Sequence, residues 1–434
     1  MTVNRTDEYR DCLQEMYGLR RFGIKLELAT IAGMLRQLGD PQDDFAVIHI
    51  AGTNGKGSIA SALAAILQQA GYRVGLYTSP HLVRFNERIR IDGREISDAE
   101  VVGAYRAVRR VDPGERQPTF FEYTTAMAFY EFGRRGVQWA VVETGMGGRF
   151  DATNVVRPRL CVITNVSLEH RSYLGDTLVR IAREKGGIIK PGVPLVTGVR
   201  QPAVRAVIAE LAASRGAPVY RRGRDFRTRR NPDGSFNYLG LRWRWPRLRT
   251  PLPGDHQVEN AALVLAACEV LKLAGDRLRE ESIRRGLART RWPGRLEIVR
   301  RQPLVILDGA HNLMAARRLA EYLARHLGGR RLTLVAGILD DKPYEAMLRP
   351  LVPLCSRIVL TQPVIGRALP PERLLACVRR LGADAEIIAE VPRAVAHAVD
   401  TARSDDAVCV AGSLYTVGEA RRFLAERGDL QDGP

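Results

Sequence analysis

The chain has 434 residues, of which 45% are hydrophobic and 26% charged, and it carries a net charge of +18. These proportions are those of a globular protein, and the length supports two or three domains with ample core. No run approaches the roughly 18 apolar residues of a membrane span, so no membrane partner is expected.

Residues 1–8 lack the basic and apolar regions of a signal peptide, which points to the cytoplasm. An apolar run at 45–50 reads as a buried strand. The turn Gly52-Thr53-Asn54-Gly55-Lys56-Gly57-Ser58 follows, and a helical pattern begins at Ile59. Strand, glycine loop with Lys and Ser, then helix is the order that cradles a polyphosphate. Glycines let backbone N–H groups approach the phosphates, Lys56 supplies a point charge, and Ser58 is placed to reach Mg²⁺. The spacing departs from GxxxxGK[ST], because Gly52 lies closer and Gly57 separates Lys56 from Ser58. A plain glycine-rich turn is the competing reading.

Strand-like runs continue at 74–77, 139–142, 160–164 and 195–197. The first is followed by Thr78-Ser79-Pro80-His81 and the second by Glu143-Thr144-Gly145-Met146-Gly147-Gly148-Arg149. The third is followed by Asn165-Val166-Ser167-Leu168-Glu169-His170. Continuous apolar strands separated by helical patterns imply a parallel sheet covered on both faces. Ligands bind such sheets at the carboxyl ends of the strands. Ser, Glu and His at those ends, beside a phosphate loop, suit Mg²⁺ bridging nucleotide phosphates. Taken singly, each has a plainer use as a helix cap or a core residue.

Between 219 and 253 the character changes. Asn231-Pro232-Asp233-Gly234-Ser235 is a turn signal between aromatic and β-branched residues, so a small antiparallel appendix is expected there. Trp243 and Trp245 alternate as sheet-packing residues do. A helix is expected from Gln257 to about Ala274. Arg291-Trp292-Pro293-Gly294-Arg295-Leu296-Glu297 then breaks the pattern. A fresh α/β series starts at Leu304, with strands at 305–307, 332–336, 357–360 and 407–410. The expected domains are therefore 1–297 and 298–434.

The six cysteines lie far apart with no CxxC, and read as reduced, mostly buried thiols. The densest basic run, 221–230, contains no recognisable nucleic-acid module, and arginine is spread along the whole chain. No nucleic-acid partner is expected, whereas a positive field suits anionic small molecules. Of the 66 basic residues only six are lysines: Lys25, Lys56, Lys185, Lys190, Lys272 and Lys342. Where lysine persists against such a bias, a compact primary ammonium is a candidate requirement. Lys56 fits that rule, and Lys185 asks for a reason; an ordinary surface lysine is the other reading.

The segments IHIAGTNGKGS, TSPHLVRFNERI, ETGMGGRFDATN, SLEH, EKGGIIKPGVP, GDHQVENAA, WPGRLE, LDGAHN and GSLY occur in this order. In that order the chain resembles the folylpolyglutamate synthases and dihydrofolate synthases of the Mur ligase superfamily, from about Phe22 to Gly418. The resemblance implies a P-loop ATPase domain, with a mainly parallel α/β sheet, followed by a smaller Rossmann-like α/β domain. It implies an active site in the cleft between them. Gly52, Thr53, Asn54, Gly55, Lys56, Gly57 and Ser58 would hold ATP phosphates, with Asn260, Arg295 and Asp308 as further ATP contacts. Ser58, Ser79, Glu143 and His170 would be ligands of Mg²⁺, in two ions. Lys185 would react with CO₂ to give a carbamate, an anion only a primary amine can form.

The reaction implied is amide ligation through an acyl phosphate, joining L-glutamate to dihydropteroate, to reduced folates, or to both. A folylpolyglutamate synthase acting on reduced folates alone is the alternative. Pteridine contacts would come from 22–28 and from Phe120, Phe121 and Glu122; core packing is the competing use of the two rings. His311, beside Asp308, is a candidate to hold the incoming amino acid, and a structural hydrogen-bonding histidine is the competing reading. A monomer is expected. Two positions depart from the family pattern: Glu169 stands for Asp before the metal histidine, and Gly186 stands for Ala after Lys185. A peptidoglycan Mur ligase would share the loop and the lysine but not TSPHLVRFNERI. A nucleic-acid-associated P-loop ATPase would be stimulated by DNA or RNA and weakened by salt.

Overall fold

The apolar runs form the strands of two sheets. The computed structural model describes residues 5–19, 23, 25 and 27–430. Phe22, Ile24 and Leu26 of the expected pteridine element lie outside the described residues, as do residues 1–4 of the segment read for a signal peptide. The chain divides into two units, Met1–Pro251 with Gln257–Arg291, and Leu252–His256 with Trp292–Pro434.

In the first unit the strands are β1 (Ala46–Ala51), β2 (Val74–Tyr77), β3 (Ile89–Ile91), β4 (Arg94–Glu95), β5 (Trp139–Glu143), β6 (Leu160–Ile163), β7 (Leu195–Thr197) and β8 (Val219–Arg221). They form one sheet in the order β4-β3-β2-β5-β1-β6-β7-β8. From β2 to β8 every pairing is parallel. The central strands β1, β5 and β6 are buried nearly throughout, which is why they read as unbroken apolar runs rather than as alternations. The antiparallel β3 and β4 close one edge around Asp92-Gly93, a hairpin pair that the sequence reading passed over.

One face of the sheet packs on helices Lys56–Gln69 and Asp255–Leu273; the other packs on helix Phe120–Arg134. The expected appendix is present as β9 (Arg227–Arg230), β10 (Phe236–Leu239) and β11 (Arg244–Leu248), all antiparallel. Phe236, Tyr238, Trp245 and Leu248 turn inward, and Trp245 stacks on Tyr238 at 5.2 Å. The buried carboxylate of Glu269 ties the appendix to its helix by accepting from Tyr238 Oη at 2.7 Å and from the Trp243 N–H at 3.0 Å.

The second unit holds β12 (Glu297–Arg301), β13 (Leu304–Asp308), β14 (Leu332–Ala336), β15 (Arg357–Gln362), β16 (Glu386–Glu390) and β17 (Ala407–Ala411). Their order is β12-β13-β17-β14-β15-β16, parallel except for β12. Glu297, taken from the sequence as the end of the first domain, begins β12 and pairs with Leu307. All six cysteines are free thiols. Among the described residues no helix is long and apolar enough to cross a membrane.

Helix Glu280–Ala288 lies tightly on helix Lys56–Gln69. A Cβ on Gly286 would meet the Ile66 backbone, its N at 2.6 Å and its Cα closer still. Backbone cannot swing aside as a side-chain tip can, so Gly286→Ala should part the helices and cost about 1–3 kcal/mol of overpacking. That exceeds the gain of about 1 kcal/mol from alanine's better helix propensity. Urea unfolding should show a lower midpoint; an unchanged or raised midpoint would refute the close approach.

Candidate active site

The turn after β1 is fixed by its neighbours before any ligand arrives. Gly55 has φ +85°, a left-handed conformation that glycine adopts without a Cβ clash, and it starts helix Lys56–Gln69. A Cβ there would lie 2.6 Å from Asn260 Oδ1, and one on Gly52 would run into Thr164 Oγ1. The carboxyl end of β6 holds the turn. Thr164 Oγ1 donates to Asn54 O at 2.7 Å, and Asn165 Nδ2 donates to the same oxygen at 2.9 Å. The Asn54 N–H donates to Asn165 Oδ1 at 3.0 Å, and the Thr53 N–H to Asn165 O at 3.0 Å. The first-turn N–H groups of the helix have no acceptor within it, and they face where an anion would sit. Gln257 Nε2 donates to Ser58 Oγ at 3.4 Å, and Asn260 Nδ2 donates to Gln257 Oε1 at 2.9 Å.

Glu143 ends β5, next to β1 in the sheet, and is 4% exposed. Its carboxylate lies 3.7 Å from Lys56 Nζ and accepts from the Ser79 N–H at 3.4 Å. The ends of β1, β2 and β5 thus bring Lys56, Ser79 and Glu143 together. A buried carboxylate beside an ammonium and a hydroxyl-bearing loop is a hard-oxygen environment that fits a divalent cation.

Lys185 is 3% exposed near the end of helix Leu178–Gly186, and its Nζ donates to Gly52 O at 2.9 Å. Burial, then the nearby charge of Lys56, pulls its pKa down to about 7, opposed by Glu169 and Asp151. A neutral amine is therefore well populated at this site. His170 has φ +51° and begins the short helix Arg171–Leu174, with Nε2 at 3.9 Å from Glu169 Oε1. Among the described residues no group of three or more His, Cys, Asp and Glu is clustered as a metal site. The expected set draws instead on serine hydroxyls and on Lys185.

Phe121 stacks on Tyr77 at 5.9 Å, and its ring fills the space beside Gly145. Phe120 contacts Tyr17 at 5.7 Å and lies under the Arg88 guanidinium at 5.1 Å. Both rings are half-buried against the core. Glu122 is buried, and both its oxygens serve the protein: they cap Thr119 and accept from Arg116 at 2.7 and 2.9 Å. It fixes the start of the helix that carries the two rings.

In the second unit Asp308 ends β13. It accepts from the Leu296 N–H at 2.9 Å and the Ala310 N–H at 3.0 Å, and burial raises its pKa. Arg295 Nη1 donates to Gly309 O at 3.0 Å, and His311 Nδ1 lies 2.8 Å from the same oxygen. The structure adds residues that the sequence reading did not single out. Thr164 and Asn165 lock the turn, and polar residues directly after a strand next to the loop were the available signal. Lys342 follows β14, with its side chain 9% exposed and Nζ 3.1 Å from Asp341 Oδ2; its rarity as a lysine was the signal.

Residues 50–268 match the Mur ligase middle domain and residues 294–414 the Mur ligase glutamate ligase domain. The dihydrofolate synthase/folylpolyglutamate synthase of Bacillus subtilis (strain 168) is 37% identical, covering 96% of this chain and 99% of that protein. The protein of the same description from Mycobacterium tuberculosis is also 37% identical, over 92% of this chain and 90% of its own. Among solved structures, E. coli FolC in complex with DHPP and ADP has a TM-score of 0.89 at 31% identity, covering 96% of this chain and 98% of that one. The Yersinia pestis bifunctional enzyme complexed with AMPPNP and Mn ion has a TM-score of 0.86 at 32% identity, over 99% and 100% of the two chains. The chain belongs to the Mur ligase family and, within it, to the dihydrofolate synthases/folylpolyglutamate synthases.

Proposed function

We propose that this chain joins L-glutamate to dihydropteroate and to reduced folates, consuming ATP through an acyl phosphate. The observation that carries the reading is the convergence of Lys56, Glu143 and Lys185 on one phosphate loop, in a chain with these relatives. Glutamate's amine cannot expel oxide from a carboxylate at neutral pH. The acceptor carboxylate therefore attacks the γ-phosphorus of ATP, ADP leaves, and the amine then displaces phosphate from the acyl carbon.

The N–H groups of the helix start and the Lys56 ammonium bind and orient the phosphates. Asn260, whose amide lies against Gly55, together with Arg295 and Asp308, completes the nucleotide contacts in this reading. Ser58, Ser79, Glu143 and His170 would hold Mg²⁺, in two ions in this reading, and the metal would supply positive charge to the transferring phosphoryl group. Lys185 joins this set as its carbamate. The ammonium first gives up one proton; the Nζ lone pair of the neutral amine then bonds to the carbon of CO₂ and a second proton leaves, so the side chain becomes an anionic oxygen ligand. The carbamate nitrogen keeps one hydrogen and can still donate to Gly52 O. Phe120 or Phe121 stacks on the pterin ring, and His311 holds the incoming glutamate. The protein works as a cytoplasmic monomer in this reading.

ADP release with ATP, Mg²⁺ and glutamate should be seen with dihydropteroate and with tetrahydrofolate as separate acceptors. Turnover with tetrahydrofolate alone would reduce the reading to polyglutamylation, and turnover with neither would refute it. Lys56→Ala should lower ligation by about two orders of magnitude or more while circular dichroism stays native; ordinary turnover would refute the loop assignment. Lys185→Ala should lose activity that added acetate partly restores, because a short carboxylate can occupy the carbamate's place. Full activity in Lys185→Arg would rule the carbamate out.

A further inference from the structure

His49 is a polar residue where the fold calls for an apolar one. It lies in β1, pairs in register with Val142 and Cys161, and is fully buried. Centres of parallel strands covered on both faces are normally aliphatic. Burying an imidazole there is costly unless its hydrogen bonds do something in return.

Among the described residues the imidazole has one hydrogen bond, and it leads toward the active site. His49 Nε2 is 2.8 Å from Thr153 Oγ1. Thr153 Oγ1 donates its only proton to Asp151 Oδ1 at 2.5 Å, so Nε2–H is the donor to Thr153. That leaves Nδ1 as a bare acceptor, buried without a hydrogen-bond partner among the described residues. Burial, then the nearby Lys190 charge, pushes its pKa down to about 3 and holds the ring neutral, and the bond to Thr153 selects the tautomer.

Asp151 in turn organises the loop that follows Glu143. Asp151 Oδ2 accepts from the Met146 N–H at 2.8 Å, and the Asp151 N–H returns to Gly148 O at 3.2 Å. The same loop lies against the helix that carries Lys185. The Arg149 N–H donates to Glu184 O at 2.8 Å, and a Cβ on Gly148 would meet Glu184 O and Lys185 O at 2.9 Å each. A Cβ on Gly187 would run into Arg149 Cα. The loop is thus a spacer of fixed thickness between the strand ending in Glu143 and the helix ending beyond Lys185.

We propose that His49 and Thr153 are positioning residues for the ligation reaction, acting through Asp151 to set the placement of Glu143 relative to Lys185. The inference rests on the roles given to those two residues above. Because both act on the transferring phosphoryl group, misplacing them lowers kcat more than it weakens substrate binding.

The decisive pair is Thr153→Val, which keeps the shape and removes the hydroxyl, against Thr153→Ser, which keeps it. With dihydropteroate or tetrahydrofolate as acceptor, Thr153→Val should lose about tenfold or more in kcat, with each KM within about threefold. Thr153→Ser should stay within about threefold of the parent. His49→Gln, which retains an N–H donor, should keep more activity than His49→Leu. Parent-like kcat in Thr153→Val overturns the inference, as does equal loss in Thr153→Ser. Unfolding of Thr153→Val at the assay temperature overturns it too, in favour of a purely structural role. Failure of the unmodified protein to turn over any folate acceptor would instead strike the proposed function.

Discussion

The phosphate loop has to present N–H groups to an anion, so its carbonyl groups must find partners elsewhere. This constraint organises the first unit around β1. Gly52 O is satisfied by Lys185 Nζ, and Asn54 O by Thr164 Oγ1 and Asn165 Nδ2. The donors come from two elements, the carboxyl end of β6 and helix Leu178–Gly186, which meet at the same end of the sheet. Parallel neighbours of β1 on both sides make that possible, since β5 delivers Glu143 and β6 delivers Thr164 and Asn165. An unpartnered buried carbonyl would cost about 1–3 kcal/mol, so the loop's shape is determined by these bonds before ATP is present.

The scarcity of lysine has a common physical meaning at several of its positions. Lys185 Nζ donates to Gly52 O, Lys190 Nζ to Asn154 O at 2.9 Å, and Lys272 Nζ to Leu278 O. All three are end-on contacts made from buried or half-buried side chains to a single backbone oxygen. A guanidinium is broader, carries five donors that need partners, and cannot shed its charge on burial. A genome that favours arginine would still keep lysine in such sockets. Lys185 thus needs no carbamate to explain why it is lysine, and the acetate-rescue assay carries that question.

What the sequence disclosed follows from burial. Strands at the sheet centres are apolar on both faces, so β1, β2, β5, β6, β7, β13, β14, β15 and β17 stand out as runs. The edges do not: β3 and β4 are three and two residues long, β12 is antiparallel and charged, and β16 is exposed at three of its five residues. The polar residues at strand ends stood out because topology puts function there. The bonds that hold them did not. Asp151 lies within a motif that looks like one more polar turn, and only its burial and its bonds to Thr153 and Met146 show that it braces the loop. Glu122 illustrates the converse, since a glutamate beside two aromatic residues suggested a ligand contact, yet its oxygens are committed to Thr119 and Arg116.

The two departures from the family pattern can now be weighed by what their atoms touch. A Cβ on Gly186 would press on the Leu211 side-chain tip and approach Ile208 Cδ1 at 3.3 Å, so the helix bearing Lys185 sits closer to its neighbour than alanine would allow without repacking. The change alters packing and removes no chemical group. Glu169 is the more consequential position, because its charge acts on two groups at once. It lies 3.9 Å from the His170 imidazole, and it opposes the burial and the Lys56 charge that depress Lys185. The extra methylene relative to aspartate moves the carboxylate without deleting it. Around the Lys185 amine, burial and the Lys56 charge therefore still face two carboxylates, those of Glu169 and Asp151.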